Sequence, residues 1–161
     1  MELLVDSLLW FAMLASGIMA GVYFAFSAFV MRSLGVLEGT TGMVAMQSIN
    51  RVILKSPFLP LFFASTIACI ALIILPLVSG PVVGGVYAMA GAATYVVGMT
   101  LVTMAFNVPL NNRLEAADAA SAEGAALWEH YLQRWTLWNS VRTIACVVAC
   151  ALLVWTIALR V

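Results

Sequence analysis

Between Trp128 and Arg142 the chain reads WEHYLQRWTLWNSVR, a stretch that holds three Trp, a Tyr, a His, an Asn and two Arg. On a helix turning roughly 100° per residue, Trp128, Tyr131, Trp135, Asn139 and Arg142 share one face about 80° wide. An aromatic wall ending in an amide and a guanidinium suits a flat, electron-rich ligand that carries oxygens. The same composition also describes a membrane-interface belt, where Trp and Tyr collect beside Arg. Spacing alone leaves both readings open. Imidazole is the usual proton acceptor at neutral pH, and His130 is the chain's only one. On the helical wheel, however, it points about 140° away from the centre of the aromatic face. A surface histidine is an equal reading.

These residues have to be positioned by elements that the composition already restricts. Of 161 residues, 65% are hydrophobic and 9% charged, with a mean hydropathy of +1.10. Soluble domains carry about 25% charged residues, so an integral membrane protein is expected. Net charge is zero and no basic run occurs, which argues against a nucleic-acid partner. Cys69, Cys146 and Cys150 all lie inside apolar runs and read as small packing residues. With one His and no acidic partner on its helix face, no metal site is expected.

The chain divides into four apolar helices, at about 7–31, 43–78, 82–107 and 122–159, forming a single all-α domain over 1–161. Glu2 and Asp6 stand where a cleaved signal would carry basic residues, so the first run reads as a transmembrane helix. Gly17 and Gly21 offer it a close packing face. On another face, Tyr23 and Ser27 are candidates for a cavity wall or for an interhelical hydrogen bond. The second helix begins polar, with Gln47, Asn50 and Arg51, and is bent or interrupted at Pro57–Pro60. Ser79–Pro81 reads as a short turn. In the third, Gly84, Gly91, Gly98 and Ala105 recur every seven residues as a strip for close contact. Thr100, Thr103 and Asn107 line its other side, and Pro109 follows within NVPLNNRL. Leu114–Gly124 reads as a solvated linker into the fourth helix.

Arg32, Arg51, Lys55, Arg113, Arg134 and Arg142 flank the two long connections, and Arg160 alone lies on the side of the termini. The positive-inside rule places those connections in the cytoplasm and both termini outside. Helices 2 and 4 then extend beyond the bilayer on the cytoplasmic side, in what reads as a bacterial inner (plasma) membrane. There Gln47, Asn50, Asn107 and Asn111 converge with Trp128, Tyr131, Trp135, Asn139 and Arg142. Polar groups near the membrane are costly unless partnered and by default mark a functional site. The competing reading is a hydrogen-bond network that sets helix register, worth about 0.6 kcal/mol per bond.

With these residues in view, the sequence resembles the anthrone oxygenase-like membrane family. The resemblance is carried by GVYFAFSAFVM in the first helix, MQSIN at Met46–Asn50, FNVPLNNRL at Phe106–Leu114 and WEHYLQRWTLWNSVRT at Trp128–Thr143. It covers most of the chain, and the last two motifs are the specific ones. It implies a small four-helix membrane protein that oxidises an anthrone- or phenol-like substrate with molecular oxygen, using no cofactor. Carried over by position, Gln47, Asn50, Asn107, Asn111, Trp128, Trp135 and Asn139 would bind substrate. Arg142 would hold the oxyanion, with His130 or Tyr131 taking the proton. A non-catalytic protein that holds a quinone, a lipid or a partner helix on the same face is the alternative. A small transporter and a haem carrier fit less well, because no acidic residue lies inside a span and one His cannot supply two axial ligands. The expected partners are a hydrophobic aromatic small molecule and the lipid bilayer. The glycine strips leave a homo-oligomer open.

Overall fold

Every regular element among the residues described by the computed structural model, 2–80 and 83–160, is helical. Five helices build it: α1 Glu2–Gly35, α2 Thr41–Ile53, α3 Phe58–Ser79, α4 Gly85–Ala116 and α5 Ala122–Ala158. Four of them, α1, α3, α4 and α5, are long and apolar enough to cross a membrane. Crossing the hydrocarbon takes about 20 residues; α1, α4 and α5 have 34, 32 and 37. The expected turn at Ser79–Pro81 and the expected helix start at Val82 fall partly outside the described residues.

The polar second segment and the apolar run after it are two helices. On α2, Gly42, Met43, Met46, Gln47 and Asn50 form one buried face. The break at 54–57 follows from Pro57, which has no N–H to continue the ladder. Ser56 fills the gap, its Oγ donating to Ile53 O at 2.8 Å and accepting from Phe58 N at 3.2 Å. Pro109 has the opposite outcome. The third helix, expected to stop at Asn107, runs on through the proline to Ala116. A proline inside a helix deprives the carbonyl four residues back of its donor and crowds the preceding turn. The backbone absorbs this by widening to i→i+5 hydrogen bonding over Thr103–Asn107, with a similar stretch at Val96–Leu101. The linker before α5 is correspondingly short. Ser121 caps α5, its Oγ accepting from Gly124 N at 2.9 Å.

Packing places α5 between α1 and α4, and α3 closes the bundle against both of them. The glycine strip of α4 faces α5. A side chain at Gly91 would press on Leu152 and Ala149 O, and one at Gly98 would overlap Ala145. Gly17 on α1 lies opposite Cys150 Sγ, while Gly21 faces open space. One core cluster fills the bundle around Met19, Cys69, Tyr95 and Leu153. A second, around Met43, Met46, Leu114, Tyr131 and Trp135, seats α2 against the ends of α4 and α5. At the other end Arg160 pairs with Asp6 at 2.7 Å.

Candidate functional site

Where α2 meets the bundle, the two cores leave a chamber of about 140 Å³. A water molecule needs roughly 10–15 Å³ measured in this way, so the space is far larger than a packing defect. Helix α1 contributes Tyr23 and Phe26, α2 contributes Met46 and Asn50, and α3 contributes Phe58 and Phe62. Thr103 and Asn111 come from α4, and Trp135 and Arg142 from α5. Two of the wide helical stretches border it, Phe26–Val30 in α1 and Thr103–Asn107 in α4. Such insertions re-aim side chains and recur at functional sites. Leu54, Phe63 and Met104 form the rim and are exposed, so the chamber opens on an apolar flank of the bundle.

Its walls are apolar and aromatic, with a few polar groups. Arg142 is the only charged residue lining it among the described residues, and it is 4% exposed. The guanidinium donates to Asn139 Oδ1 at 2.8 Å and to Thr103 Oγ1 at 3.2 Å. Its carbon lies 4.2 Å from the centre of the Tyr23 ring and 5.2 Å from that of Trp135. Among the described residues the ion pairs are Arg51–Glu115 and Arg160–Asp6, so no carboxylate pairs with Arg142. Its Nε is buried without a hydrogen bond of good geometry, as are Tyr23 Oη, which lies near the guanidinium and Thr103, and Asn50 Nδ2, which lies near the Tyr131 hydroxyl. Buried polar atoms are nearly always bonded, and a buried cation is costly unless an anion or strong acceptors meet it. Aromatic faces return only about 0.5–2 kcal/mol.

Of the residues singled out from sequence, Asn50, Asn111, Trp135 and Arg142 line this chamber. The others support it or stand apart. Asn139, fully buried, donates to Tyr23 O and Ser27 Oγ, both at 2.6 Å, and so ties α1 to α5 beneath Arg142. Asn107 donates to Trp135 O at 3.2 Å, holding α4 to α5. Gln47 donates to Leu114 O at 2.8 Å and Ala117 O at 3.1 Å, satisfying carbonyls at the end of α4. Tyr131, also fully buried, donates to Asn111 Oδ1 at 2.8 Å, as does the Trp135 indole N–H. Trp128, Tyr131 and Trp135 stack on one another, centroids 5.7 and 5.9 Å apart with 20° between planes. The aromatic face is therefore mostly used internally, and only Trp135 of the three reaches the chamber. Trp128 lines a separate open recess with Met43 and Leu132. His130 is exposed and lies outside the chamber lining.

Tyr23 and Thr103 were visible as polar residues on helix faces. The phenylalanines that finish the wall were not, because Phe58 and Phe62 begin an ordinary apolar span. Their spacing of four, just after Pro57, is the one signal that sets them on a common face. Among the described residues no three His, Cys, Asp or Glu side chains gather in a way that could hold a metal ion.

A family profile described as anthrone oxygenase matches residues 46–152, from Met46 on α2 to Leu152 on α5. No curated protein and no solved structure matches the chain.

Proposed function

The chain belongs to the anthrone oxygenase family, and from that premise we propose that the chamber binds a flat, phenol- or anthrone-like anion within the membrane and exposes it to molecular oxygen. The observation that carries this reading is Arg142, a cation buried beside an aromatic cavity with no carboxylate among the described residues to neutralise it. The missing negative charge is assigned to the substrate. An oxyanion against the guanidinium supplies the absent partner, and Trp135, Phe26, Phe58 and Phe62 surround the rings. Stabilising the anion is the relevant catalytic contribution, because an extended carbanion–phenolate can pass an electron to oxygen directly. Overall, a ring CH2 and O2 become a ring C=O and water. A preorganised donor of this kind is worth roughly 3 kcal/mol of barrier, or about a hundredfold in rate. His130 lies outside the chamber and the Tyr131 hydroxyl already donates to Asn111, so in this reading the ring proton passes to water as the anion forms against Arg142.

The apolar rim at Leu54, Phe63 and Met104 suits a substrate that arrives from the bilayer. In this reading α2 and the first turns of α5 stand beyond the hydrocarbon on the cytoplasmic side of a bacterial inner membrane, with both termini outside. The test uses purified protein in detergent and measures binding of a fluorescent phenol such as 2-naphthol together with oxygen consumption on an anthrone. Wild type should bind the phenol saturably and consume oxygen, and Arg142→Gln should reduce both by about a hundredfold. Equal rates in the two proteins defeat the assignment of Arg142. Binding without oxygen uptake assigns the chamber to a carrier of aromatic anions instead.

A further inference from the structure

The chamber has a second polar end, distinct from Arg142. Asn50 and Asn111 line it and also line an adjoining outer recess of about 160 Å³, whose walls include Asn112, Arg51 and Glu115. Arg51 and Glu115 close the outer side as an exposed ion pair at 2.7 Å. The two asparagines have donors to offer for different reasons. Asn111 Oδ1 already accepts from Tyr131 Oη and Trp135 Nε1, which engages both lone pairs and fixes the amide with its N–H groups on the other side. Asn50 is 9% exposed, and its Nδ2 is buried beside the Tyr131 hydroxyl but makes no hydrogen bond of good geometry, because that hydroxyl is turned to Asn111. Trp135 separates this end from the other, with its N–H tied to Asn111 and its ring beside Arg142.

We propose that Asn50 and Asn111 form a neutral subsite for a carbonyl-type oxygen, so that the chamber selects a ring system with an ionised oxygen at Arg142 and an uncharged acceptor oxygen at the asparagine end. Neutral amides match a neutral acceptor, which needs no countercharge, and the neighbouring recess admits water to its remaining lone pair. The unpaired Asn50 donor is the group that the ligand satisfies. This makes Asn50 a specificity residue, and the proposal rests on the reading of the chamber as an aromatic-anion site.

The experiment compares two probes on one skeleton, 2-naphthol and 6-hydroxy-2-naphthaldehyde, against wild type and Asn50→Leu in detergent. Thermal stability of the ligand-free proteins is measured alongside. The expected result is a loss of roughly tenfold in aldehyde affinity in the variant, with 2-naphthol unchanged. Comparing the change in each probe between proteins cancels their different acidities. Ligand-free Asn50→Leu should melt at or above the wild-type temperature, because an unbonded buried donor has been removed. A purely structural asparagine would instead lower the melting temperature and weaken both probes alike, and that overturns the proposal. Equal affinity of the aldehyde for both proteins overturns it too, while leaving the aromatic-anion reading intact if 2-naphthol binds. Wild type that binds neither probe overturns both.

Discussion

Arg142 and Asn139 sit one helical turn apart, are both buried, and are bonded to each other, yet the structure gives them opposite duties. Asn139 has partners on every side: Tyr23 O, Ser27 Oγ and the guanidinium itself. Replacing it with leucine removes these three bonds from the interior, leaving Ser27 Oγ with Ser140 and the guanidinium with Thr103, which should cost about 1–3 kcal/mol. The thermal midpoint of Asn139→Leu in detergent should therefore fall by several degrees, whatever ligand is present. Arg142 has unspent capacity, with Nε unbonded and no anion nearby. Arg142→Gln keeps a donor for Asn139 while removing a charge that the folded protein holds at a cost. Its ligand-free midpoint should stay level or rise while anion binding collapses. A midpoint that falls as far as that of Asn139→Leu would make Arg142 a structural residue and remove the basis of the functional assignment. The sequence could not separate this pair, since both lie on the same stripe of α5. What distinguishes them is that the bonds of Asn139 to α1 complete its capacity, whereas Arg142, though bonded to Thr103 and Asn139, keeps a free Nε and no countercharge.

At the scale of elements, the wide turns decide where the site lies. Thr103 reaches Arg142 from within Thr103–Asn107, and Phe26 enters the chamber from Phe26–Val30. Pro109 accounts for the first of these stretches. Pro109→Ala restores the missing donor, allows the turn to close to i→i+4, and should rotate Thr103 relative to the guanidinium. The variant should be more stable by roughly 1–3 kcal/mol yet bind the phenol several-fold more weakly. Chemical denaturation and fluorescence titration of the same preparation test the two halves together; an unchanged affinity would show that the wide turn does not shape the chamber. The hydrophobic lengths, the break near Pro57 and the glycine strip of α4 were legible in the sequence because each is a local rule. Passage of the helix through Pro109 was not. Whether a proline ends a helix or widens it depends on what packs beside the freed carbonyl, and here α5 and α2 hold the continuation in place through Trp135 O and Gln47. Nor could the pattern reveal that Trp128 and Tyr131 stack on their own neighbours, since a face shared on the wheel carries no information on what covers it.

For the molecule as a whole, the proposed function assigns the chamber a depth and a side of the bilayer, which can be tested. The bundle has one end tied by Arg160 and Asp6, and the other built from α2, the end of α4 and the start of α5. Exposed basic residues cluster at the second end, at Arg32, Arg51, Lys55, Arg113 and Arg134. If the positive-inside bias orients the protein, that end faces the cytoplasm and the asparagine recess opens to cytoplasmic water. Single cysteines offer a direct reading, because Cys69 and Cys146 are buried and Cys150 is half-buried inside α5. Glu38→Cys, in the exposed connection between α1 and α2, should react with a membrane-impermeant maleimide only after the cells are opened. Leu3→Cys, 81% exposed at the opposite end, should react in intact cells. The opposite labelling pattern would place the recess outside the cell. The substrate oxygen at Asn50 would then face the external medium, and products would leave the chamber on that side.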